Sequence, residues 1–392
     1  MSKVFSILLS VSALFALPLA AHAAETPTNS IEALQAKLDA GTVKLTFAND
    51  GHGWLQSVLA ALGVAQDSQL LTFTRSSLQF DKISPKTPRA IYFGDDVAVA
   101  AVVEGHVLEI LANDAKGDPA FYTLDTAKTD KPKFEREGPR CLSCHGMVNT
   151  YAPGWMVANI TAIADGTPQF PDVARPFYFT EQSTPFEERW GGWYVTGTHG
   201  AMHHRGNVTA KDLSHPYELP MIEGQNVTDL SGRFDTHQTL QPGSDIVALM
   251  TLEHQNGFAN RVAMLNARAA GSQAELDKAI DEIVANMTFA DEVPLPSPVK
   301  GTSSFTDTFP KRGPRDAQGR SLRDFDLKTR LFRYPLSYMV YSASFDSLNP
   351  AVKTKLWRRL YDRLRATPDG AAAIAILAAT KPDVPDYWKK GA

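Results

Sequence analysis

The chain has 392 residues, two cysteines and a formal charge of −4 at neutral pH. Hydrophobic residues make up 43% and charged residues 21%, ordinary for a globular protein of one large or two smaller domains. So mild a charge argues against a nucleic-acid partner, and two cysteines allow at most one disulfide.

Lys3 gives the N-terminus a positive charge, an apolar run follows from Val4 to Ala20, and Ala21-His22-Ala23 makes a small-x-small cleavage pattern. The pattern predicts a signal peptide over residues 1–23, with the mature chain starting at Ala24. Loss of Lys3 takes the charge from −4 to −5. An uncleaved membrane anchor is the alternative. No later apolar run approaches the roughly 20 residues that span a bilayer.

Residues 30–63 read as helical, from the spacing of Ile31, Leu34 and Leu38 and then of Trp54, Leu55, Val58, Leu59 and Leu62, with Gly63 closing the second helix. From about residue 70 the period changes to two. Strands are predicted at Leu71–Thr74, Arg89–Phe93, Val97–Val103, Val107–Leu111 and Phe121–Leu124, joined by short turns at Gly94-Asp95-Asp96 and Glu104-Gly105. Such spacing implies an antiparallel meander. A charged, proline-containing loop is expected over Lys128–Arg140.

The two cysteines then fall together, in Cys141-Leu142-Ser143-Cys144-His145. C-x-x-C-H is the attachment motif of a c-type haem. Two thiols add across the two vinyl groups of the haem, and the following imidazole becomes the proximal iron ligand. A redox disulfide does not need the histidine, and a structural zinc site needs further donors; both remain as alternatives. One covalent haem c is therefore the expected cofactor, held by Cys141, Cys144 and His145. Its chemistry fits the leader, since bacterial c-type haem is attached outside the cytoplasmic membrane, which makes the periplasm the expected compartment.

Residues 146–240 are rich in Gly, Pro and aromatics, with little periodicity. Within them, Arg189-Trp190-Gly191-Gly192-Trp193-Tyr194 and His199-Gly200-Ala201-Met202-His203-His204 concentrate groups suited to a flat metal-bearing cofactor. Glycine allows close backbone approach, aromatic rings pack on a macrocycle, and His or Met can be the sixth ligand. The candidate ligands, in order, are His199, His204, His254, Met202 and Met156, while Met147 follows the motif too closely. Arg189 and Arg205 are candidate propionate partners. A polar surface loop whose histidines do nothing is the plainer reading.

Residues 244–268 predict a helix with Ile246, Val247, Leu249, Met250 and Leu252 on its apolar side. Ser272-Gln273-Ala274-Glu275 is a capping box opening another. Val293–Pro298 reads as a stiff linker, and Tyr334–Tyr361 as helical. There Val352, Leu356, Trp357, Leu360, Tyr361 and Leu364 form an apolar face. Lys353, Lys355, Arg358, Arg359 and Arg363 supply basic character that faces solvent, propionates or an acidic partner.

The order of elements predicts an α+β fold: N-terminal helices and an antiparallel sheet, a haem-c region in the middle, and a mostly helical C-terminal half. Residues 24–290 are expected to form the haem-containing domain, and residues 291–392 a linker and helical region packed on it. Pro153, Pro168, Pro171 and Pro176 interrupt the helical bracketing of a small cytochrome, so the haem is expected to be embedded in the larger domain.

Four stretches resemble exported bacterial proteins described as cytochrome c domain-containing. They are Pro88–Asp96, Arg140–His145, Glu188–Gly200 and Pro335–Tyr338. The resemblance implies haem c binding and electron transfer, with no established substrate. That group usually has His-Met-Gly-Asn where this chain has His204-Arg205-Gly206-Asn207, which favours a histidine ligand here. The expected function is that of a periplasmic mono-haem cytochrome c, exchanging electrons with a redox protein or a small-molecule donor or acceptor. The alternative is a haem-c oxidoreductase, peroxidase-like or a dehydrogenase, with an open or displaceable sixth iron position.

Overall fold

The computed structural model describes residues 26–146, 154–169, 178–212, 214, 218–267 and 271–390. The expected signal peptide and Met147, Pro153, Pro171 and Pro176 lie outside them.

Helix α1 (Ser30–Asp39) begins where the Asn29 side chain accepts from the backbone N–H groups of Ile31 and Glu32, at 2.9 and 3.0 Å. Helix α2 (Leu55–Leu62) ends at Gly63, whose φ of 68° is the left-handed conformation a helix terminus favours. Ile31, Leu34, Leu55, Val58 and Leu59 bury their apolar sides against one face of the sheet.

That sheet is the predicted meander. Strands β1 (Leu70–Thr72), β2 (Arg89–Phe93), β3 (Val97–Ala101), β4 (Val107–Asn113), β5 (Pro119–Asp125) and β6 (Phe134–Glu137) pair antiparallel in sequence order. Strand β6 lies where a loop was expected. Phe134 is buried and its N–H donates to Gln35 of α1 at 2.9 Å, so one aromatic anchors a strand whose other residues are charged. Helix α3 (Pro139–His145) follows directly.

The loop-rich middle contributes a paired β7 (Ala158–Asn159) and β8 (Tyr178–Phe179), then β9 (Trp193–Tyr194). Strand β9 adds to β1, with Leu71 opposite Tyr194, and completes a seven-stranded sheet in the order β6-β5-β4-β3-β2-β1-β9. Gly192 makes this possible. Its φ is +86°, and a Cβ there would fall 1.9 Å from Thr74 Oγ1 and 2.3 Å from the Ile160 carbonyl. The glycine pair thus serves backbone–backbone approach between β1 and its neighbours. A short β10 (Gly197–Thr198) pairs with β11 (Lys300–Gly301).

The C-terminal half is helical: α4 (Ile246–Ala267), α5 (Gln273–Met287), α6 (Phe305–Thr308), α7 (Ala343–Asp346), α8 (Pro350–Arg365), α9 (Gly370–Thr380) and α10 (Asp386–Lys390). The α4 helix runs through the interior, so even Glu253, His254, Gln255 and Asn256 are buried. Asp245 caps it through Val247 N–H at 2.8 Å and accepts from Thr302 and Ser303 N–H with its other oxygen, tying the two halves of the chain. The capping box of Ser272 and Glu275 is formed. Apolar residues of α4, α5, α8, α9 and α10 share one core with Phe305, Phe309, Phe332 and Tyr338.

The linker of residues 293–298 is tied to the rest of the chain: Val293 and Leu295 donate to Gln182 and Thr329 carbonyls at 2.9 and 3.0 Å, and Leu295 is buried. On the basic side of α8, Lys355 and Arg359 turn to acidic residues of α5, with Asp277 at 3.3 and 2.7 Å and Asp281 at 2.7 Å from Arg359. Among the described residues no helix is long and apolar enough to cross a membrane.

Candidate functional site

Strand alternation sorts residues onto the two faces of the sheet. In β3, Val97 and Val99 face the helix pair, while Ala98 and Ala100 face the other way. The register continues that second face: Ile91 opposes Ala100, which opposes Glu109, and Ala98 opposes Leu111, which opposes Phe121. Two adjacent alanines between larger neighbours leave a hollow. It is a cavity of about 430 Å³, with Ile91, Ala98, Ala100, Leu111 and Phe121 as its floor and Leu252 and Asn256 of α4 as one end. Pockets of this size, mostly apolar with a few polar groups, are what small-molecule and cofactor sites require. Cys141, Cys144 and His145 of α3 line it. A second lobe of about 320 Å³ adjoins it; Cys144, His145, Met156, Phe80 and Arg89 border both.

The tautomers separate the histidines. His145 Nδ1 lies 3.0 Å from the Gly154 carbonyl oxygen, which can only accept, so Nδ1 carries the proton and Nε2 keeps a free lone pair. Burial holds this imidazole below its ordinary range, partly opposed by that hydrogen bond, so the ring is neutral. Its ring packs on Phe121, centroids 4.9 Å apart. This is the arrangement of a metal-ligating histidine, oriented by a carbonyl on its far nitrogen.

His199 and His204 have the opposite arrangement. Neither lines the cavity. His199 Nε2 accepts from Asn226 N–H and His204 Nδ1 from Gly206 N–H, each at 3.0 Å. Both rings are buried, which pushes His199 below its ordinary range and His204 down to about 3. Each neutral ring therefore carries its proton on its other nitrogen, where no lone pair is left for a metal. The rings pack on each other and His204 packs on Trp190. His199 and His204 thus turn one ring nitrogen to a backbone donor of the loop, while His199 Nδ1 and His204 Nε2 are buried without a partner and away from the cavity.

His254 is excluded by satisfaction: Nδ1 meets Gln182 Oε1 and Nε2 meets Ser337 Oγ, each at 2.6 Å. Met202 is buried in the core around α4. Arg189 is spent on Glu253 at 2.9 Å and on the carbonyls of Thr184 and Gln182, and Arg205 donates to the Glu187 carbonyl at 3.0 Å. Neither reaches the cavity. Of the five candidate sixth ligands, only Met156 lines it.

The alternatives to haem fit the geometry less well. Burial and then Glu137 push the Cys141 thiol up to about 11, whereas a disulfide-exchanging C-x-x-C needs a depressed value. Among the described residues no three His, Cys, Asp or Glu side chains are grouped to hold a metal ion, as a zinc site would need. A haem iron makes no such demand, because the tetrapyrrole supplies four nitrogens. Two buried polar atoms of residues in the cavity wall, Arg89 Nε and Asn256 Oδ1, have no partner. The thiols, the free imidazole nitrogen and the apolar floor fit a covalent haem. Phe80, 57% exposed at the edge of both lobes, is an apolar cover that sequence reading missed. Arg89 and Glu109 were missed too, although charged residues at inward positions of apolar strands are a readable signal.

Comparison of the chain with protein-family models, curated proteins and solved structures finds no match.

Proposed function

We propose that this protein is a mono-haem c-type cytochrome that transfers electrons. The carrying observation is that Cys141, Cys144 and His145 line one apolar cavity, with the His145 tautomer leaving Nε2 free. A bound haem c supplies a one-electron couple. The chain's part is to hold it. The two thiols would hold its edge, and His145 and Met156 would be the side chains to ligate its iron, since His199, His204, His254 and Met202 do not line the cavity. A thioether ligand would favour the reduced state relative to an imidazole. The apolar floor excludes water and favours the less charged state in the same direction. The leader-like residues 1–23 support maturation in the periplasm.

The test is intact mass and absorbance of the full chain produced with haem-maturation machinery in the periplasm. The wild type should gain the mass of one haem, unremoved by acidic organic solvent. Replacing both Cys141 and Cys144 with Ala should abolish covalent attachment. A wild type recovered with free thiols and no haem would sink the reading.

A further inference from the structure

Arg89 borders both lobes of the cavity. Its guanidinium donates to Glu109 at 2.5 Å, while its Nε is buried without a partner. The contact runs diagonally across β3, where the small Ala100 stands between Ile91 of β2 and Glu109 of β4. Glu109 is held from a second side by Gln79 Nε2 at 3.1 Å, so its carboxylate is satisfied and the guanidinium is not. The other cations of the cavity are spent. Arg75 donates to the Ile83 carbonyl at 3.0 Å and pairs with Asp165 at 3.5 Å, and Arg140 pairs with Glu137. Around Arg89 the wall is hydroxylic, with Thr72, Thr74, Ser76 and Ser77; at the α4 end Leu111, Trp155 and Leu252 make it apolar but for the single amide of Asn256.

We infer that Arg89 anchors the carboxylate edge of the cofactor. Its open guanidinium edge takes a haem propionate as a charge-assisted fork, with Glu109 fixing the orientation of that fork from the opposite side. The cofactor's hydrocarbon edge then lies toward Leu111 and Leu252. This assignment rests on the haem reading above, and it makes the polarity difference between the two ends of the cavity the feature that sets which way round the haem sits.

The experiment uses the matured full chain as wild type, Arg89→Gln, Arg89→Lys and, as a remote control, Lys133→Gln, whose side chain is 68% exposed. Intact mass establishes covalent haem in each. Resonance Raman then reads the propionate bending band, and potentiometry the midpoint potential. In Arg89→Gln the band should move. The potential should fall, because an unneutralised carboxylate favours the more positive oxidised iron. A tenfold rise in the oxidised-to-reduced ratio is expected, about 59 mV for one electron. Arg89→Lys should restore part of the potential through its charge but not the band, since a lysine lacks the fork; it also carries the band test should Arg89→Gln fail to fold. The control should match the wild type. Covalent haem with an unchanged propionate band in both Arg89 variants would overturn the anchor and leave haem binding intact. A wild type without covalent haem would overturn both.

Discussion

Glu253 carries its carboxylate inside the molecule, fully buried on α4, where Arg189 donates at 2.9 Å and Trp190 Nε1 at 2.8 Å. The Arg189 guanidinium also lies over the Phe186 ring, 4.1 Å from its centroid. Removing one partner of such a pair strands a buried charge. Arg189→Leu should therefore cost about 3–5 kcal/mol, read from urea unfolding, while the haem spectrum of whatever remains folded stays unchanged. A spectral change at full stability would restore Arg189 to the cofactor. Glu292 supplies a pH dependence. Burial pushes its carboxyl from the ordinary 4.5 up to about 7, with the Leu331 N–H, Arg330 and Arg189 opposing and Asp291 reinforcing. The folded state thus holds a proton that the unfolded state has released. Its contribution is fully present below about pH 4.5 and is lost as pH rises through about 7. Melting temperatures over that window should fall with rising pH in the wild type, and Glu292→Gln should flatten the slope. Equal slopes in the two proteins would remove Glu292 from the account.

Strand β3 is the element on which the cavity depends. Its Val-Ala-Val-Ala alternation sends the valines into the core under α1 and α2 and the alanines into the cavity floor. Ala98→Phe should fill that floor. Haem loading should drop several-fold, measured as absorbance per protein, while the sheet remains folded because the side chain at this position lines the cavity. Undiminished loading would put the cofactor elsewhere. The meander was legible in the sequence because its strands alternate cleanly and its turns are two or three residues long. The caps at Gly63 and Ser272 were legible because each is local. Strand β6 was hidden, since only Phe134 among its charges is buried. Strand β9 was hidden because it pairs with β1 across more than a hundred residues, a contact no local pattern announces. At the site, the placing of Cys141, Cys144 and His145 together on α3 was legible from their spacing, but which of the other candidates reach the cavity depended on tertiary contacts such as the backbone donors that meet each histidine. His199 and His204 looked promising for their density, and the same density reflects a loop that uses imidazoles as hydrogen-bond acceptors for Asn226 and Gly206.

Across the whole molecule, the sheet separates two cores. One lies under α1 and α2; the other gathers around α4 and the C-terminal helices. The cavity occupies the sheet's second face where that larger core stops short, closed by α4 at one end and by α3 along its side. This explains why so long a chain surrounds one motif: α4, which brings Leu252 and Asn256 to the wall, packs on α5, α6 and α7, and α5 is backed in turn by α8. The most direct measurement is the optical spectrum of the matured protein, oxidised and reduced, before and after carbon monoxide. Low-spin bands unmoved by the gas are expected in the wild type, in His199→Ala and in His204→Ala, and a carbon monoxide-sensitive spectrum in Met156→Ala. A wild-type haem that binds the gas, or a spectrum indifferent to Met156 but altered by either histidine, would contradict this expectation.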